Sequence, residues 1–169
     1  MDCTQAIRAR RSIRKYQPGV SIPQKDVETM LEAAMMAPSA RNIRPWEFFV
    51  VEDPELKSKL RHAHPFASML DTAPLAIVVC AQPEKQTGVV ADYWPLDCGA
   101  AVENLLLQAV ALGYGACWCG CWPSPRISKI QELLDTQAVP VALIAVGAPD
   151  EAPEARGHYD PAKVTWLRA

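Results

Sequence analysis

The stretch DCGAAVENLLLQAVALGYGACWCGCW at residues 97–122 contains the two elements on which the fold depends. Residues 97–112 are apolar around most of a helical circumference, and Gly113 follows where a helix commonly ends. A helix that lacks a polar face lies in the protein interior or at a subunit interface. We therefore predict a central helix at 97–112, followed by a short strand at CWCGCW (117–122).

The predicted strand carries cysteines and tryptophans on opposite faces, because successive side chains of a strand alternate. Gly120 lies between the tryptophans and leaves room for another group to approach the backbone closely. The three cysteines lack the paired spacing of zinc ligands, and the three histidines of the chain offer no obvious partner pair. We interpret the thiols as small core residues and predict no metal, with a thiol redox or metal module as a less favoured alternative.

Other elements are predicted on both sides of this stretch. Apolar periodicity, with Asp2, Ser21 and Asp53-Pro54 as starting signals, predicts helices near 2–10, 24–35 and 54–60. Runs of β-forming residues predict strands at 46–52, 75–81 and 141–147, and Ser124-Pro125 begins a further helix. Residues 148–169 are irregular but carry aromatic side chains, which predicts an extended arm that packs on another surface, such as a partner subunit.

The whole chain has the length and composition of one globular domain. It has 169 residues, 50% of them hydrophobic, so we expect a single domain over 1–169. A net charge of -2 gives no global attraction for nucleic acid. With no apolar run of the roughly 20 residues that span a membrane and no export signal at the start, we expect a cytoplasmic protein with reduced thiols.

A basic cluster near the N-terminus is the first candidate for ligand binding. Five cations fall within residues 8–15, together with Ser12. Guanidinium groups bind phosphate through paired hydrogen bonds, and a hydroxyl can supply another. The alternative is a solvated helix end whose positive charge favours the helix dipole. The composition of the cluster does not decide between a phosphate site and a plain surface.

The loop Pro38-Ser39-Ala40-Arg41-Asn42 is the second candidate. It follows a predicted helix and precedes a strand, a position from which backbone groups and short polar side chains can be aimed at a ligand. Ordinary turn chemistry would use the same residue types. The loop alone therefore indicates no function.

Taken together, the segments resemble the nitroreductase family along essentially the whole chain. Four motifs occur in the family's order and spacing, namely RRSIRKY at 10–16, PSARNIRPW at 38–46, DCGAAVENLLLQA at 97–109 and GYGACWCG at 113–120. The resemblance implies an α+β nitroreductase-like fold, with a central mixed β-sheet flanked by helices. It also implies an intertwined homodimer that binds FMN at its interface.

The resemblance assigns cofactor-binding roles to particular residues. The phosphate and ribityl chain of FMN would be held by Arg10, Arg11, Ser12, Arg14 and, near the C-terminus, Arg156. The ring or ribityl chain would be reached from the partner subunit by the loop residues Pro38, Ser39, Ala40 and Asn42. The segment beside the isoalloxazine would comprise Trp118, Cys119 and Gly120.

Three positions depart from the family's pattern. Arg41 and Arg44 replace the family's common Gly and Gln, so the loop carries two extra cations. These cations could select an anionic substrate or the phosphates of a nicotinamide donor, or lie in solvent. His158 stands where a second basic residue often touches the phosphate, which would make phosphate affinity weaker or sensitive to pH.

The resemblance implies an NAD(P)H-dependent FMN oxidoreductase with ping-pong chemistry. NADH or NADPH would give hydride to flavin N5, and a small acceptor such as a nitroaromatic or quinone would take the electrons. We predict no catalytic acid or base, because the cofactor carries the chemistry. The alternative is a non-catalytic FMN-binding protein for storage, sensing or delivery, with Trp94 and Trp122 among the residues that would narrow access to the ring.

Overall fold

The fold consists of one four-stranded sheet with helices on both faces, in a computed structural model that describes residues 1–154, 157 and 159–168. The strands, in the spatial order β1-β2-β4-β3, are β1 (Trp46–Val51), β2 (Leu75–Ala81), β3 (Gly115–Gly120) and β4 (Val139–Gly147). The α-helices are α1 (Cys3–Ala9), α2 (Gln24–Met35), α3 (Pro54–Ala63), α4 (Trp94–Ala111) and α5 (Ile127–Leu134). The predicted α+β class is confirmed.

All strand pairs of the described sheet are antiparallel. The sequence predicted a mixed sheet, and the parallel part is limited to one isolated bridge between Ser12 and Ala116 at the start of β3. That bridge is short, but it places the basic N-terminal segment directly beside β3. β3 forms one edge of the sheet, so only one side of its backbone pairs with a neighbouring strand.

Strand β2 separates two apolar layers. Its alternate residues Leu75, Ile77, Val79 and Ala81 pack with α2 and α4, whereas Ala76, Val78 and Cys80 pack toward α3 and α5. Every residue of β2 is buried, as its continuous apolar run predicted. Each fully buried Val, Leu or Ile side chain contributes about 1.5–3 kcal/mol to folding, so this strand is the centre of both cores.

The central helix is confirmed as α4, which begins three residues earlier than predicted, with Pro95 in its first turn. Its buried residues are Asp97, Cys98, Ala101, Val102, Leu105, Leu106 and Ala109. Leu96 is exposed on the same helix. Part of this largely apolar helix therefore remains uncovered in a single protomer.

Two predicted starting signals of helices differ from the structure. Ser21 was predicted as the starting signal of the second helix, which is wrong, because α2 begins after Pro23 and has no side-chain cap. Helix α5 begins at Ile127 because the Ser124 hydroxyl instead accepts from the backbone N–H of Arg126 (3.2 Å), which forms a local turn. The caps predicted at Asp2 and Asp53 are confirmed.

The described part of the C-terminal segment contains one short 3₁₀ turn, at Pro161–Lys163. Tyr159, Trp166 and Leu167 are exposed there. Among the described residues, no helix combines the length and the hydropathy needed to cross a membrane.

Candidate functional site

A cavity of about 500 Å³ lies between β3 and the turn that follows α3. Its lining from the N-terminal segment and β3 is Arg14, Cys117, Trp118, Cys119 and Gly120. Its lining from the turn is His64, Pro65, Phe66, Ser68 and Met69. The three β3 residues predicted to pass beside a flavin ring therefore all line one cavity.

A second cavity, of about 310 Å³, is lined by part of residues 10–16, called here the phosphate segment, and by the start of the C-terminal segment at 148–169. Its lining residues are Arg11, Ser12, Arg14, Glu151, Pro153 and Glu154. Arg14 belongs to the lining of both cavities. A ring-sized space and a smaller space, lined by two arginines and two glutamates, thus adjoin at Arg14.

The phosphate segment is attached to the sheet at the start of β3. The backbone N–H of Ile13 donates to the carbonyl of Ala116 (3.0 Å). Gly115 makes this approach possible, since a Cβ at that position would lie 2.7 Å from Ile13 Cβ. Ser12 and Arg14, which flank Ile13, are thereby placed at the cavities.

Tyr16 attaches the same segment to the end of β4. Its buried hydroxyl donates to the carbonyl of Ile13 (2.6 Å) and lies 3.1 Å from that of Ala145. Burial raises the pKa of Tyr16 well above its ordinary value, so the hydroxyl stays protonated and remains a donor. Gln17 adds a backbone hydrogen bond to Ala148 (2.9 Å).

The predicted phosphate-binding cations have different environments. Arg10 forms an ion pair with Glu103 of α4 (3.1 Å) and lines neither cavity. The Arg11 side chain donates to the carbonyls of Arg8 (2.9 Å) and Glu154 (3.1 Å). Arg14 forms no ion pair with any carboxylate of the described residues. Ser12 and Arg14 are therefore the residues best placed to meet an anion, and Arg156 and His158 lie outside the described part of the chain.

Glu151 was not identified from the sequence. Its carboxylate accepts from the backbone N–H groups of Arg14 (2.5 Å) and Lys15 (3.2 Å). Two adjacent backbone donors that converge on one oxygen form an anion-binding geometry. Glu151 also attaches the start of the C-terminal segment to the phosphate segment. It lies 137 positions from Arg14 and 136 from Lys15 in the sequence, so no local pattern predicts these contacts.

His64 was also not identified as a site residue. It is the residue that ends α3, and its side chain is buried. Its Nε2 atom lies 2.8 Å from the Gly120 carbonyl oxygen, and the Phe66 N–H donates to its Nδ1 atom (3.3 Å). A single histidine thus joins the two walls of the larger cavity.

The loop at 38–42 is held in place by α4 and lies away from both cavities. Asp97, buried at the start of α4, accepts from the Ala40 N–H through both carboxylate oxygens (3.2 and 3.1 Å). It also accepts from Gln86 Nε2 (2.6 Å). The predicted loop residues Pro38, Ser39, Ala40 and Asn42 line neither cavity of their own protomer.

The backbone of this loop has an unusual conformation. Arg41, Asn42 and Arg44 have φ angles of 53°, 56° and 55°, in the left-handed region that disfavours residues other than glycine. The Ser39 hydroxyl accepts from the Arg44 N–H, and the Asn42 side-chain oxygen accepts from Arg44 Nε, both at 2.9 Å. These bonds hold the loop in one shape and turn Arg44 back onto Asn42.

The Asp97 contacts predict a large effect on stability. Asp97→Ala should lower the free energy of unfolding by roughly 3 kcal/mol, because hydrogen bonds to a charged group are lost and buried donors are left without a partner. Denaturant titration measures the loss. Asp97→Asn keeps the shape and one acceptor, and should lose clearly less. Equal stability of Asp97→Ala and the wild type would contradict the role of Asp97 in holding the loop to α4.

The thiols of Cys117 and Cys119 in β3 and of Cys121 just after it are buried in the apolar layer toward α3 and α5, as predicted. Burial raises the pKa of Cys121 to about 12. A hydrogen bond between Cys117 and Cys119 lowers the pKa of Cys117 and raises that of Cys119. Within the described ranges, no cluster of three or more His, Cys, Asp or Glu side chains is placed to hold a metal ion.

Gly120 shows that the larger cavity suits a ligand. Among the described residues other than its two chain neighbours, no atom lies within 4 Å of a Cβ built at Gly120, and the φ of Gly120 lies outside the left-handed region. Neither protein packing nor backbone conformation therefore requires a glycine at this exposed position. The glycine leaves part of the β3 backbone at the cavity without a side chain, and a flat ring can contact such a surface.

Comparison with known proteins shows the class of molecule to which this chain belongs. The model of the nitroreductase family matches residues 7–65 and 58–148. A protein of Archaeoglobus fulgidus, provisionally named an NADH dehydrogenase/NAD(P)H nitroreductase, is 40% identical over 169 residues, which cover 96% of each chain. These two matches define an oxidoreductase of the nitroreductase type.

Solved structures agree in fold over almost the entire length. A protein of Parabacteroides distasonis with the same provisional name superposes with a TM-score of 0.91, at 33% identity, over 98% of both chains. An FMN-dependent nitroreductase from Clostridium difficile superposes with a TM-score of 0.89, at 31% identity, over 98% of this chain and 99% of that one. The chain described here belongs to the nitroreductase family.

Proposed function

We propose that this protein is an FMN-dependent oxidoreductase that transfers hydride from NADH or NADPH to a small acceptor such as a nitroaromatic or quinone. The observation that carries the proposal is the pair of adjoining cavities that share Arg14. The larger cavity has an open glycine wall for a flat ring, and the smaller one has a hydroxyl and guanidinium groups for a phosphate. Family membership and the FMN dependence of the Clostridium difficile protein support the same cofactor.

In this proposal Ser12 and Arg14 hold the FMN phosphate. Arg11 lines the same cavity, and Arg10 is available to the phosphate once it leaves Glu103. Arg156 is proposed as a further phosphate contact on the resemblance alone. Glu151 occupies the backbone N–H groups of Arg14 and Lys15, so the phosphate would be bound by side chains rather than by these two amides.

The ring would lie against the Trp118-Cys119-Gly120 segment of β3. FMN held there would supply the hydride-transfer chemistry between the nicotinamide and the acceptor. The protein residues orient the cofactor and exclude water, and none is assigned a proton-transfer role. Trp94 and Trp122 pack edge to face on each other, with ring centroids 5.1 Å apart, and line neither cavity. Their position favours turnover over a closed FMN-storage site.

We propose that the site is completed by a second copy of the chain. The predicted loop residues 38–42 are held rigidly but lie away from the cavities of their own protomer. A second observation is the exposure of large apolar residues, of which Met36, Leu96 and Leu167 are 81%, 69% and 93% accessible. Such residues favour burial in an interface. A homodimer would cover them and bring the loop to the partner's flavin.

The purified protein tests the function directly. We expect yellow material that binds FMN, becomes colourless when NADH or NADPH is added without oxygen, and turns yellow again when a quinone or nitroaromatic is added. FMN binding without reduction by either nucleotide would instead favour a non-catalytic FMN-binding protein. Failure to bind added FMN would exclude both functions.

The thiol alternative is tested by replacing Cys117, Cys119 and Cys121 together with Ala. We expect FMN binding and acceptor reduction to persist, because the sulfurs are packing atoms of a buried layer. Stability should fall, since the substitution leaves small cavities in the core. Reduction rates per bound FMN are measured, and their loss with full FMN occupancy would support a thiol mechanism.

A further inference from the structure

We propose that His64 is a positioning residue for the end of β3 that faces the flavin, an inference that rests on the proposed function. The end of β3 needs a positioning residue because it ends in Gly120. A glycine leaves the cavity open, but it also gives the backbone more conformational freedom than any other residue. A wall that must contact a flat ring at a fixed distance needs that freedom to be restrained.

The position of β3 in the sheet makes the restraint necessary. Gly120 is the last residue of β3 and pairs with Ala142 of β4. Because β3 is an edge strand, no described strand lies on its other side. The strand end that lines the cavity would therefore be held by ladder hydrogen bonds on one side alone.

His64 supplies the missing restraint. Its Nε2 atom is 2.8 Å from the Gly120 carbonyl oxygen, 56 residues away in sequence. The Phe66 N–H donates to its Nδ1 atom (3.3 Å), so Nδ1 carries no proton and Nε2–H is the donor to Gly120. Both imidazole nitrogens are used, and the side chain is only 4% accessible. The ring therefore has one tautomer and one orientation.

The same imidazole organises the opposite wall. Phe66 lines the cavity and is 74% accessible, and its ring lies edge to face with His64 at a centroid distance of 6.1 Å. The hydrogen bond from its backbone N–H fixes the start of this turn relative to His64. His64 thus sets the distance between Gly120 on one side of the flavin cavity and Phe66 on the other.

Two substitutions separate the two hydrogen bonds. In His64→Gln the amide nitrogen lies near the position of Nε2 and can still donate to Gly120. In His64→Asn the shorter side chain can accept from Phe66 but cannot reach Gly120. Each apoprotein is titrated with FMN by fluorescence quenching, and the visible circular dichroism and reduction potential of the bound flavin are recorded. Thermal unfolding of each apoprotein reports stability separately.

We expect His64→Asn to weaken FMN binding by about tenfold, the equivalent of one lost buried hydrogen bond. Its flavin dichroism and potential should differ from those of the wild type. His64→Gln should bind within about threefold of the wild type and restore the wild-type dichroism. His62 provides a matched control, because it is exposed in the last turn of α3. Within the described structure its Nδ1 atom contacts only the Ser58 carbonyl oxygen (2.7 Å). His62→Asn should leave FMN affinity and dichroism unchanged.

The outcomes divide clearly. Wild-type affinity and dichroism in His64→Asn would overturn the positioning role. Equal losses in His64→Asn and His64→Gln, in parallel with equal losses of thermal stability, would assign His64 to the core alone and also overturn it. A wild-type protein that binds no FMN would overturn the proposed function itself. Wild-type binding of FMN with no difference among the His64 variants would overturn this inference alone.

Discussion

Gly120→Val should remove most FMN binding while leaving the fold intact. The valine side chain would cover the backbone that Gly120 leaves bare at the cavity and would keep a flavin ring from contacting β3 there. Steric interference of this kind costs about 1–3 kcal/mol, which corresponds to a roughly 5- to 160-fold higher Kd for FMN. Fluorescence titration of the apoprotein with FMN measures the change.

The stability of the same variant is the control. Beyond the chain neighbours of Gly120, no atom of the described residues lies within 4 Å of the point that a Cβ would occupy there. Because valine also suits a strand, the unfolding midpoint of the apoprotein should not fall. Gly120→Ala should show a smaller loss of FMN affinity, graded by side-chain volume. Unchanged FMN affinity in Gly120→Val would show that the flavin does not approach β3 at this residue.

Gly115→Ala should have the opposite pattern, with loss of stability as well as of FMN binding. The new Cβ would lie 2.7 Å from Cβ and Cγ2 of Ile13 and 2.8 Å from its Cγ1. Since these contacts involve a branched carbon next to the backbone, the N-terminal segment must move away from β3. We expect the free energy of unfolding to fall by about 1–3 kcal/mol, and FMN affinity to fall because Ser12 and Arg14 move with Ile13.

Gly120→Ala is the matched control for this second prediction, because it adds the same methyl group to the same strand in open space. In denaturant unfolding, the apoprotein of Gly115→Ala should have a free energy of unfolding about 1–3 kcal/mol lower than that of Gly120→Ala. The double variant Ile13→Ala/Gly115→Ala should recover part of the loss relative to the sum of the single changes, since two of the three close contacts are removed. Additive effects, or a stable Gly115→Ala, would contradict the contact between the segment and the strand.

The sequence predicted those parts of the fold that are written in local patterns. Helix α4 and strand β2 carry apolar residues on nearly every face, and that pattern has few other solutions. The alternation in CWCGCW placed the thiols in the core and the tryptophans on the opposite face, where Trp118 and Trp122 are exposed. The order of four motifs indicated the family, which none of them could indicate alone.

The parts that the sequence did not predict depend on contacts between distant residues. His64 and Glu151 meet their partners across 56 and 137 positions, and neither has a sequence pattern that marks it. Arg10 looked like its neighbours in the basic cluster, yet Glu103 of α4 holds it away from the cavities. Helix starts also differed where a competing turn, as at Ser124, used the capping side chain.

The attachment of residues 12–17 to the ends of β3 and β4 determines when the entropy of ordering the proposed phosphate site is lost. A mobile phosphate loop loses that entropy on meeting its ligand, which lowers affinity. Here the hydrogen bonds of Ile13, Tyr16 and Gln17 order the segment as part of the folded sheet. Exposing the backbone amide groups of residues 12–17 to solvent therefore requires breaking their contacts with the sheet. We expect these amides to exchange hydrogen as slowly as those of the sheet and more slowly than those of loops. The proposed anion site would therefore be preorganised by folding itself.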